Sequence, residues 1–419
     1  MPVKRIRRSV DRRDAARIKG CDRGLLASHV GGFATHLAEE GYVQQTIRVK
    51  CAIVANLSCW LERREIALAN VNEKQLRQFH ASRRRRVGVH SWRNDVSGAR
   101  QLLSYLRDRG CIARLPQKVD RTALGKLMAD FERFLSSERG LSPLTLTNYV
   151  PVVRRFLTQR FKGRALHLQR LRPQDLHRFI LSEARCMSRS RAKLTVTALR
   201  SFLRFLLQRG LIKIDLAAGL PGVAHWRLSH LPKSLPPNQV EKLLDSCDRN
   251  TPSGQRDYAI LLLLARLGLR GGEVRTLTLE DLDWEHGEIV IHGKSHRLER
   301  LPLPRAAGRA LIHYLRYARP VCSTRTLFIR LNAPLRGLEQ TAICCIVHRA
   351  LKRAGLNPDF KGAHLLRHSL ATHMLSKGAT LGEIGQLLRH AQPTTTQIYA
   401  KVDIKALRSI ALPWMGGAS

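Results

Sequence analysis

The chain has 419 residues, with 73 Lys and Arg against 32 Asp and Glu, so its formal charge is +41. This excess predicts a polyanionic partner: nucleic acid is the expected one, and an anionic membrane surface is the other option. No apolar run approaches the ~18 residues that span a membrane, and the basic N-terminus lacks the apolar core of a secretory signal. Nine scattered cysteines indicate reduced thiols. We therefore expect a cytoplasmic bacterial protein of two or three domains, associated with the nucleoid and not with a membrane.

Residues 1–25 form a basic run that begins MPVKRIRRSVDRRD. Two interpretations stay open for this run: a flexible arm whose arginines contact DNA phosphate, or a solvated tail without a partner. A second compact basic run, Ser82 to Val87, has the same two interpretations, a loop on DNA or a solvated turn.

Residues 26–115 have a helical pattern, and residues 122–220 repeat it about 100 positions later. The matching pairs are Leu76 with Leu176, Phe79 with Phe179, and Gly110 with Gly210. Two similar helical units in tandem are the simplest account, and a chance match between two generic amphipathic helix pairs is the alternative. The first unit is either an additional DNA clamp or a protein-contact module.

The second unit carries basic side chains at positions where they would lie near backbone phosphate, each adding salt-sensitive affinity without sequence information. They are Arg154, Arg155, Arg160, Lys162, Arg164, Lys193 and Arg200. Residues 221–236 are rich in proline and lack periodicity, which predicts a linker between domains. Residues 237–419 then form the last domain, which is mostly helical with one small sheet.

Two basic residues stand at marked places in this last domain. Arg270 follows a very apolar helix that ends at Gly268, and a helix C-terminal cation is its ordinary interpretation. Lys294 lies between two short β-runs, in the sequence Gly293-Lys294-Ser295, which predicts a lysine at a hairpin turn. A solvated turn lysine is the plain alternative there.

Four further residues lie between positions 364 and 399. His364 and Arg367 are three apart in a helical segment, so their side chains share a face. His390 precedes Tyr399 by nine residues, and a proline-initiated short helix is expected to carry Tyr399. Each has an ordinary alternative: surface histidines, or a core aromatic with its hydroxyl at the surface. His368 directly follows Arg367, so we expect it to face away and to be structural.

Arginines, a lysine, histidines and a tyrosine together suit a phosphodiester. A guanidinium binds two phosphoryl oxygens at once and stays charged, and fixed cations stabilise the charge that in-line attack concentrates there. Neighbouring cations favour the phenolate of a tyrosine, which activates it as a nucleophile. Lysine or histidine can protonate the leaving 5′ hydroxyl. We expect no cofactor and no metal, because guanidinium groups replace a metal as the charge clamp; a metal pair of His364 and His368 lacks a third ligand nearby.

In order and spacing, these six residues resemble the catalytic set of the tyrosine recombinases, the phage integrase family. They are Arg270, Lys294, His364, Arg367, His390 and Tyr399. RLGLRGGEVRTLTLEDLD is similar to that family's first arginine box, HLLRH to its His-x-x-Arg box, and RHAQPTTTQIYAKV to its His-to-Tyr box. One departure is Arg389, which stands where the family usually has glycine before the second histidine; a β-carbon there disfavours a positive φ.

The resemblance implies a mainly α fold, with tandem helical DNA-binding units before an α+β catalytic domain that has a small antiparallel sheet. It also implies a transient 3′-phosphotyrosyl bond to DNA, made by Tyr399. The expected partners are double-stranded DNA, three further copies in a homo-tetramer on paired sites, and related recombinases or accessory proteins. The short tail after Tyr399 either docks on a neighbouring protomer or packs on its own domain.

Three functions stay open at this point. The first is a site-specific recombinase or integrase, serving for example a transposable element. The second is a type IB topoisomerase, which uses the same chemistry to relax one duplex. The third is a DNA-binding protein with decayed catalysis, against which the intact Arg270, Arg367 and Tyr399 argue.

Overall fold

The structure is a computed structural model, and it describes residues 24–84, 89–113, 120–185, 187–222, 231–293, 298–390 and 392–402. The predicted arm (1–25, apart from its last two residues), most of the predicted linker, the end of the Ser82–Val87 run, Lys294 and the tail after Val402 therefore lie outside the described residues. By their contacts, residues 115–229 form one compact unit, and residues 1–114 with 230–419 form the other.

The N-terminal part begins with four helices. They are α1 (Ala27–Glu39), α2 (Gln44–Glu62), α3 (Glu73–Arg84) and α4 (Val89–Asp108). Their apolar faces form a core of their own, in which Phe33, Leu57, Phe79 and Leu106 are buried. The turn after α1 contacts the last domain, where the Leu335 backbone N–H donates to the Glu40 carbonyl at 2.8 Å.

The middle unit has the same order of elements. Its helices are α5 (Ala123–Arg133), α6 (Pro143–Phe161), α7 (Pro173–Ala184) and α8 (Arg189–Gln208). Side chains of Thr122, Ser142 and Ser188 cap α5, α6 and α8 by accepting a backbone N–H from the first turn. Phe131, Phe202 and other aromatic side chains fill the core.

The recurrence expected from the sequence is present in these helices. α4 and α8, α3 and α7, and the 3₁₀ turns Leu68–Asn70 and Leu168–Arg170 each start 100 residues apart. The matched apolar side chains, such as Phe79 and Phe179, are buried in their respective cores. Gly110 and Gly210 both have a positive φ, +72° and +67°, at the turn that ends the last helix of each set.

The last domain is helical apart from one sheet. Its helices are α9 (Pro237–Asp245), α10 (Pro252–Arg266), α11 (Gly271–Thr276), α12 (Arg305–His313), α13 (Ala342–Arg353), α14 (His364–Ser376) and α15 (Leu381–Leu387), and a 3₁₀ segment (Pro393–Val402) follows. In the strand Glu288–His292, Ile289 and Ile291 are buried and the residues between and beside them are not, as in a sheet with one covered face.

The sheet consists of β1 (Leu282–Asp283), β2 (Glu288–His292) and β3 (Leu298–Pro302), in that order and all antiparallel. In the β2–β3 pair, Ile289 lies opposite Leu301 and Ile291 opposite Glu299. Residues 293–297 connect these two strands along the chain. Lys294, which is predicted at a hairpin turn, is among the residues that the structure does not describe.

The core of the last domain is built around α10. Seven of its apolar residues, from Ala259 to Ala265, are almost fully buried, and so is Leu267 just after it, which explains an apolar stretch without an amphipathic period. α14 packs Leu365 and Leu366 into this core, whereas Ala371 and Leu375 face a smaller apolar cluster with Tyr399. α14 therefore links the main core to the segment that carries Tyr399.

The predicted fold class is confirmed: the chain is mainly helical, with one small antiparallel sheet in the last domain. In the part of the chain that the structure describes, no helix is both long enough and apolar enough to cross a bilayer.

Candidate active site

Arg270 lies where α10 has ended and α11 begins. The turn between them needs glycine at 268, because φ is +58° and a Cβ would lie 2.6 Å from the Leu388 side chain. Arg270 is the N-cap residue of α11, so its expected alternative as a helix C-terminal cation is wrong. Its Nη2 donates to the Arg389 carbonyl at 3.3 Å, and its side chain is partly exposed.

Glu273 is the counter-ion of this arginine. Its carboxylate accepts the Arg270 backbone N–H at 2.8 Å and Nη1 at 2.6 Å, and it also accepts Nη2 of Arg389 at 2.9 Å. Burial by itself raises the pKa of Glu273, but the Arg270 N–H and the Arg389 charge outweigh it, so the pKa lies below its ordinary value. An ionised carboxylate therefore holds two guanidinium groups in place.

Arg367 projects from α14 and is only 3% exposed. Its Nη1 donates to the Gly268 carbonyl and its Nη2 to the Leu388 carbonyl, so one side chain holds both the turn before Arg270 and the end of α15. Burial, and then the charges of Arg270 and Arg389, lower the pKa of Arg367 to about 10. It stays charged at neutral pH.

Two of the three histidines of α14, His364 and His368, lie on one helix face. The ring centroids of His364 and His368 are 6.4 Å apart, as expected for side chains four residues apart. The prediction that His368 faces away from the other site residues is therefore wrong: its Nδ1 lies 2.8 Å from the Tyr399 hydroxyl. Loss of hydration, followed by the Arg367 and Arg270 charges, lowers the pKa of His364. Burial, then His364 and Arg367, lowers the pKa of His368 to about 4.

His390 follows α15 in a tight turn that its backbone N–H closes by donating to the Gly385 carbonyl at 3.0 Å. Arg389, just before it, has φ +55° in spite of its β-carbon, a conformation that costs about 1–2 kcal/mol for a residue other than glycine. Nδ1 of His390 lies 2.7 Å from the Thr396 hydroxyl. Burial and the charges of Arg367 and Arg270 lower the pKa of His390 to about 4.

Tyr399 is 1% exposed and packs against Ala371, Leu375, Ile384 and Leu388. Burial raises the pKa of its phenol to about 12, although the Arg367 charge acts in the opposite direction. The tyrosine is therefore neutral here and hydrogen-bonded to His368, in a state that holds the phenol away from solvent.

Five of the six predicted site residues thus converge through direct contacts. Arg270 and Arg367 donate to the carbonyls of Arg389 and Leu388, the two residues before His390. His364, on α14, and Tyr399 both lie next to His368. Lys294 lies outside the described residues. Within the described ranges, no third His, Cys, Asp or Glu joins the histidine pair of α14 to make a group that could hold a metal.

Sequence reasoning left three residues outside the set. Glu273 follows Arg270 by three residues, a spacing that allows it to cap α11 or to pair with that arginine, and it does both. His368 is signalled by its position four residues after His364, which places it on the same face. Arg389 is signalled as the residue before His390 that replaces the expected glycine, but its buried contacts with two carboxylates have no signal in the sequence.

Comparison with known proteins gives matches along most of the chain. The family model of the phage integrase family matches residues 233–405, and the model of the phage integrase N-terminal SAM-like domain matches residues 128–210. The putative integrase/recombinase y4rA of Sinorhizobium fredii is 42% identical over 398 residues, covering 94% of this chain and 96% of the relative. Tyrosine recombinase XerD of Listeria monocytogenes is 33% identical over 298 residues, covering 68% of this chain and 97% of the relative.

Solved structures share the fold. The XerH site-specific recombinase, in a post-cleavage complex with its palindromic difH substrate, aligns with a TM-score of 0.55 at 22% identity, covering 73% of this chain and 92% of that one. A lambda integrase dimer bound to a core site aligns with a TM-score of 0.52 at 18% identity, covering 70% and 99%.

Fold, arginine boxes and sequence relatives together define an enzyme of the tyrosine recombinase class. The chain belongs to the phage integrase family. The XerD relative accounts for only about two thirds of its length, whereas y4rA matches nearly all of it.

Proposed function

We propose that this tyrosine recombinase cuts and rejoins DNA at specific sites through a covalent bond between Tyr399 and a 3′ phosphate. The observation that carries the proposal is the position of Arg367, whose guanidinium donates to the carbonyls of Gly268 and Leu388. These bonds hold the Arg270 turn and the His390 turn to the helix that also contacts Tyr399.

In this proposal, Arg270 and Arg367 grip the non-bridging oxygens of the scissile phosphate. A guanidinium has five N–H donors, so the two carbonyl bonds of Arg367 leave donors for phosphate. His364 and His390 each donate a ring N–H to the same oxygens, and their lowered pKa values favour neutral rings at pH 7, which keep one N–H donor each. Fixed donors of this kind stabilise the charge that develops during in-line displacement.

The cleavage step forms a bond between the Tyr399 oxygen and phosphorus and breaks the bond between phosphorus and the 5′ oxygen. The phenolic proton, shared with His368 at 2.8 Å in the buried state, passes to solvent water once Tyr399 has left that position, because a ring whose pKa is near 4 is a weak base. Lys294 protonates the departing 5′ oxygen, so charge and atoms balance. Attack of a partner strand's 5′ hydroxyl on the phosphotyrosyl bond reverses the same steps and joins the new strand.

Tyr399 has to leave its buried position before it can attack. At 1% exposure its hydroxyl cannot meet a phosphate, and a phenol whose pKa is near 12 is almost entirely protonated at pH 7. We infer that the Pro393–Val402 segment shifts relative to α14 when DNA binds, and that the two arginines then offset the phosphate charge and lower the cost of forming the phenolate.

The proposed partner is double-stranded DNA, consistent with a formal charge of +41. We propose that residues 122–220 form a core-binding domain, that residues 26–115 add a second helical clamp or a protein contact, and that four copies act on paired sites, with related recombinases or accessory proteins. Arg154, Arg155 and Arg160 pair at the surface with Asp120, Glu183 and Asp175. Exposed pairs of this kind are worth little, about 0–1 kcal/mol, so phosphate can displace the carboxylates.

The solved structures that share the fold include the XerH recombinase with its difH substrate, lambda integrase bound to a core site, and the Tn1549 transposon integrase in complex with circular intermediate DNA. Neither topoisomerase-like relaxation nor a decayed binding protein gains a supporting observation, so we do not retain either.

A nicked suicide substrate tests the proposal. The wild-type chain, incubated with a duplex that carries its recombination site, should form an SDS-stable protein–DNA adduct, and exchange between two labelled duplexes should follow. Tyr399→Phe should keep DNA binding and lose the adduct, because only the nucleophilic oxygen is removed. Binding lost together with the adduct would mean that the tyrosine is structural, and relaxation without exchange would support a topoisomerase.

A further inference from the structure

The side chain of Arg389 connects three segments of the proposed active site. It is 5% exposed, although it follows α15 in a turn that glycine could make without strain. Its Nη1 donates to the Leu387 carbonyl at 3.0 Å and its Nη2 to Glu273 at 2.9 Å. The turn itself does not require a large charged side chain at this position. The interactions of Arg389 with its partners are therefore what stabilises the side chain there.

The third partner of Arg389 lies on the sheet. Its Nε is 3.4 Å from Oε2 of Glu299, which belongs to β3. Both atoms are buried and make no hydrogen bond with another described residue, so each supplies the charge that the other needs. Arg389 is the buried member of the pair, at 5% exposure, whereas the Glu299 side chain as a whole is 36% exposed. The contact therefore joins β3 to the turn before His390 mainly by giving the buried guanidinium a second carboxylate.

The main chain of Arg389 is used as well. Its carbonyl accepts Nη2 of Arg270 at 3.3 Å, and Glu273, which pairs with the Arg389 side chain, also pairs with Arg270. Arg389 therefore contacts the Arg270 turn through two routes and the β2–β3 hairpin through a third. The same hairpin carries Lys294 in its connection.

We propose that Arg389 is a positioning residue, which holds Glu299, and with it the β2–β3 hairpin, against Arg270 and His390. This inference rests on the proposed function, because it assigns Arg389 to the alignment of the residues proposed to act there. Arginine suits the task since its planar fork reaches two carboxylates and a carbonyl at once, whereas lysine presents one compact ammonium.

Three variants separate this role from a general structural one. Arg389→Gly removes the side chain and leaves a residue that tolerates φ +55°, so the protein should fold and bind DNA within about 2-fold of wild type. Its cleavage rate on the nicked substrate should fall at least ~10-fold, which corresponds to a rise of about 1.4 kcal/mol in the activation free energy. Glu299→Gln should also slow cleavage. The double variant should be no slower than Arg389→Gly, because both single changes remove the same contact, the one between Arg389 and Glu299.

Glu288→Gln is the matched control on the same sheet. Glu288 lies on β2 and pairs with Arg300 at 3.2 Å, away from Arg389. Its change removes the same charge from the hairpin without touching the proposed link, so cleavage should stay at the wild-type rate. An equal loss in Glu288→Gln would mean that the charge of the sheet matters and not the Arg389 contact.

A sulfur substitution shows which step the link serves. In a substrate whose bridging 5′ oxygen is replaced by sulfur, the leaving group resembles a thiol of pKa ~8.5 and needs no proton from an acid. A displaced hairpin would misplace Lys294, the proposed proton donor, and a sulfur leaving group does not need that donor. The Glu299→Gln defect should therefore shrink to within about 2-fold of wild type on this substrate. Arg389→Gly should be rescued less, since it also loosens the Arg270 turn.

The outcomes distinguish the two proposals. If the wild-type chain forms no adduct with either substrate, the proposed function fails. If the wild type forms adducts and Arg389→Gly or Glu299→Gln cleaves normally, the positioning role is overturned. The same holds if the two defects multiply in the double variant, or if sulfur leaves the Glu299→Gln defect unchanged.

Discussion

Replacing Arg367 with lysine tests whether one buried guanidinium holds the site together. The side chain is 3% exposed and donates to the carbonyls of Gly268 and Leu388 from two different nitrogens. A lysine has one ammonium on a flexible stem and cannot reach both carbonyls in that geometry. One carbonyl would then stay buried without a partner, and the Arg270 turn or the His390 turn would come loose.

The size of the effect follows from those two bonds. A hydrogen bond to a charged group contributes about 1.5–3 kcal/mol, and lysine should lose one of the two. For a domain of ~150–250 residues, 1 kcal/mol moves the thermal midpoint by about 2–4 °C. Arg367→Lys should therefore lower the midpoint of the last domain by about 3–12 °C and should also reduce covalent cleavage strongly.

Differential scanning calorimetry of the full chain measures the midpoint, and the nicked substrate measures cleavage. Arg325→Lys is a suitable control, because Arg325 is 67% exposed and pairs with Glu280 at the surface; its midpoint should not move. A midpoint for Arg367→Lys within about 1 °C of wild type, with normal cleavage, would refute the view that this guanidinium joins the two turns.

Three further predictions concern the chemistry of the site. Arg270→Lys should slow covalent cleavage by about 10²–10³ on the nicked substrate, because lysine cannot grip two phosphate oxygens; near-normal cleavage would exclude the clamp role. EDTA should leave the rate of adduct formation unchanged, since guanidinium groups carry the charge; inhibition by EDTA would point to a metal. Lowering the pH from 6.5 to 4 should lower the thermal midpoint. His368 and His390 have pKa values near 4 in the folded state, whereas an ordinary histidine, as in the unfolded chain, has a pKa of 6.5. The unfolded chain therefore binds more protons than the folded chain in this pH range, and acid favours unfolding. The His368→Gln and His390→Gln double variant should show a shallower pH dependence, and an unchanged slope would contradict this assignment.

Much of the site could be predicted because it is written in local spacing. His364 and Arg367 share a face through the pitch of a helix, and the glycine at 268 indicates the turn that precedes Arg270. The repeat of 100 residues is likewise a local matter, since each helical set has its own apolar period and its own core. The prediction for His368 is wrong because it rests on the adjacent Arg367, whereas the spacing of four residues from His364 places His368 on the same helix face as that histidine.

The sequence by itself determined the helices, the small sheet, the tandem order of the two helical units and the kind of chemistry, since periodicity and residue type act over a few residues. Tertiary structure alone decided that Arg389 is buried between Glu273 and Glu299, and that Tyr399 rests on His368. These partners lie 31 to 116 residues apart along the chain. Charge pairing in a buried site depends on which distant segments share that site, and no local pattern contains this information.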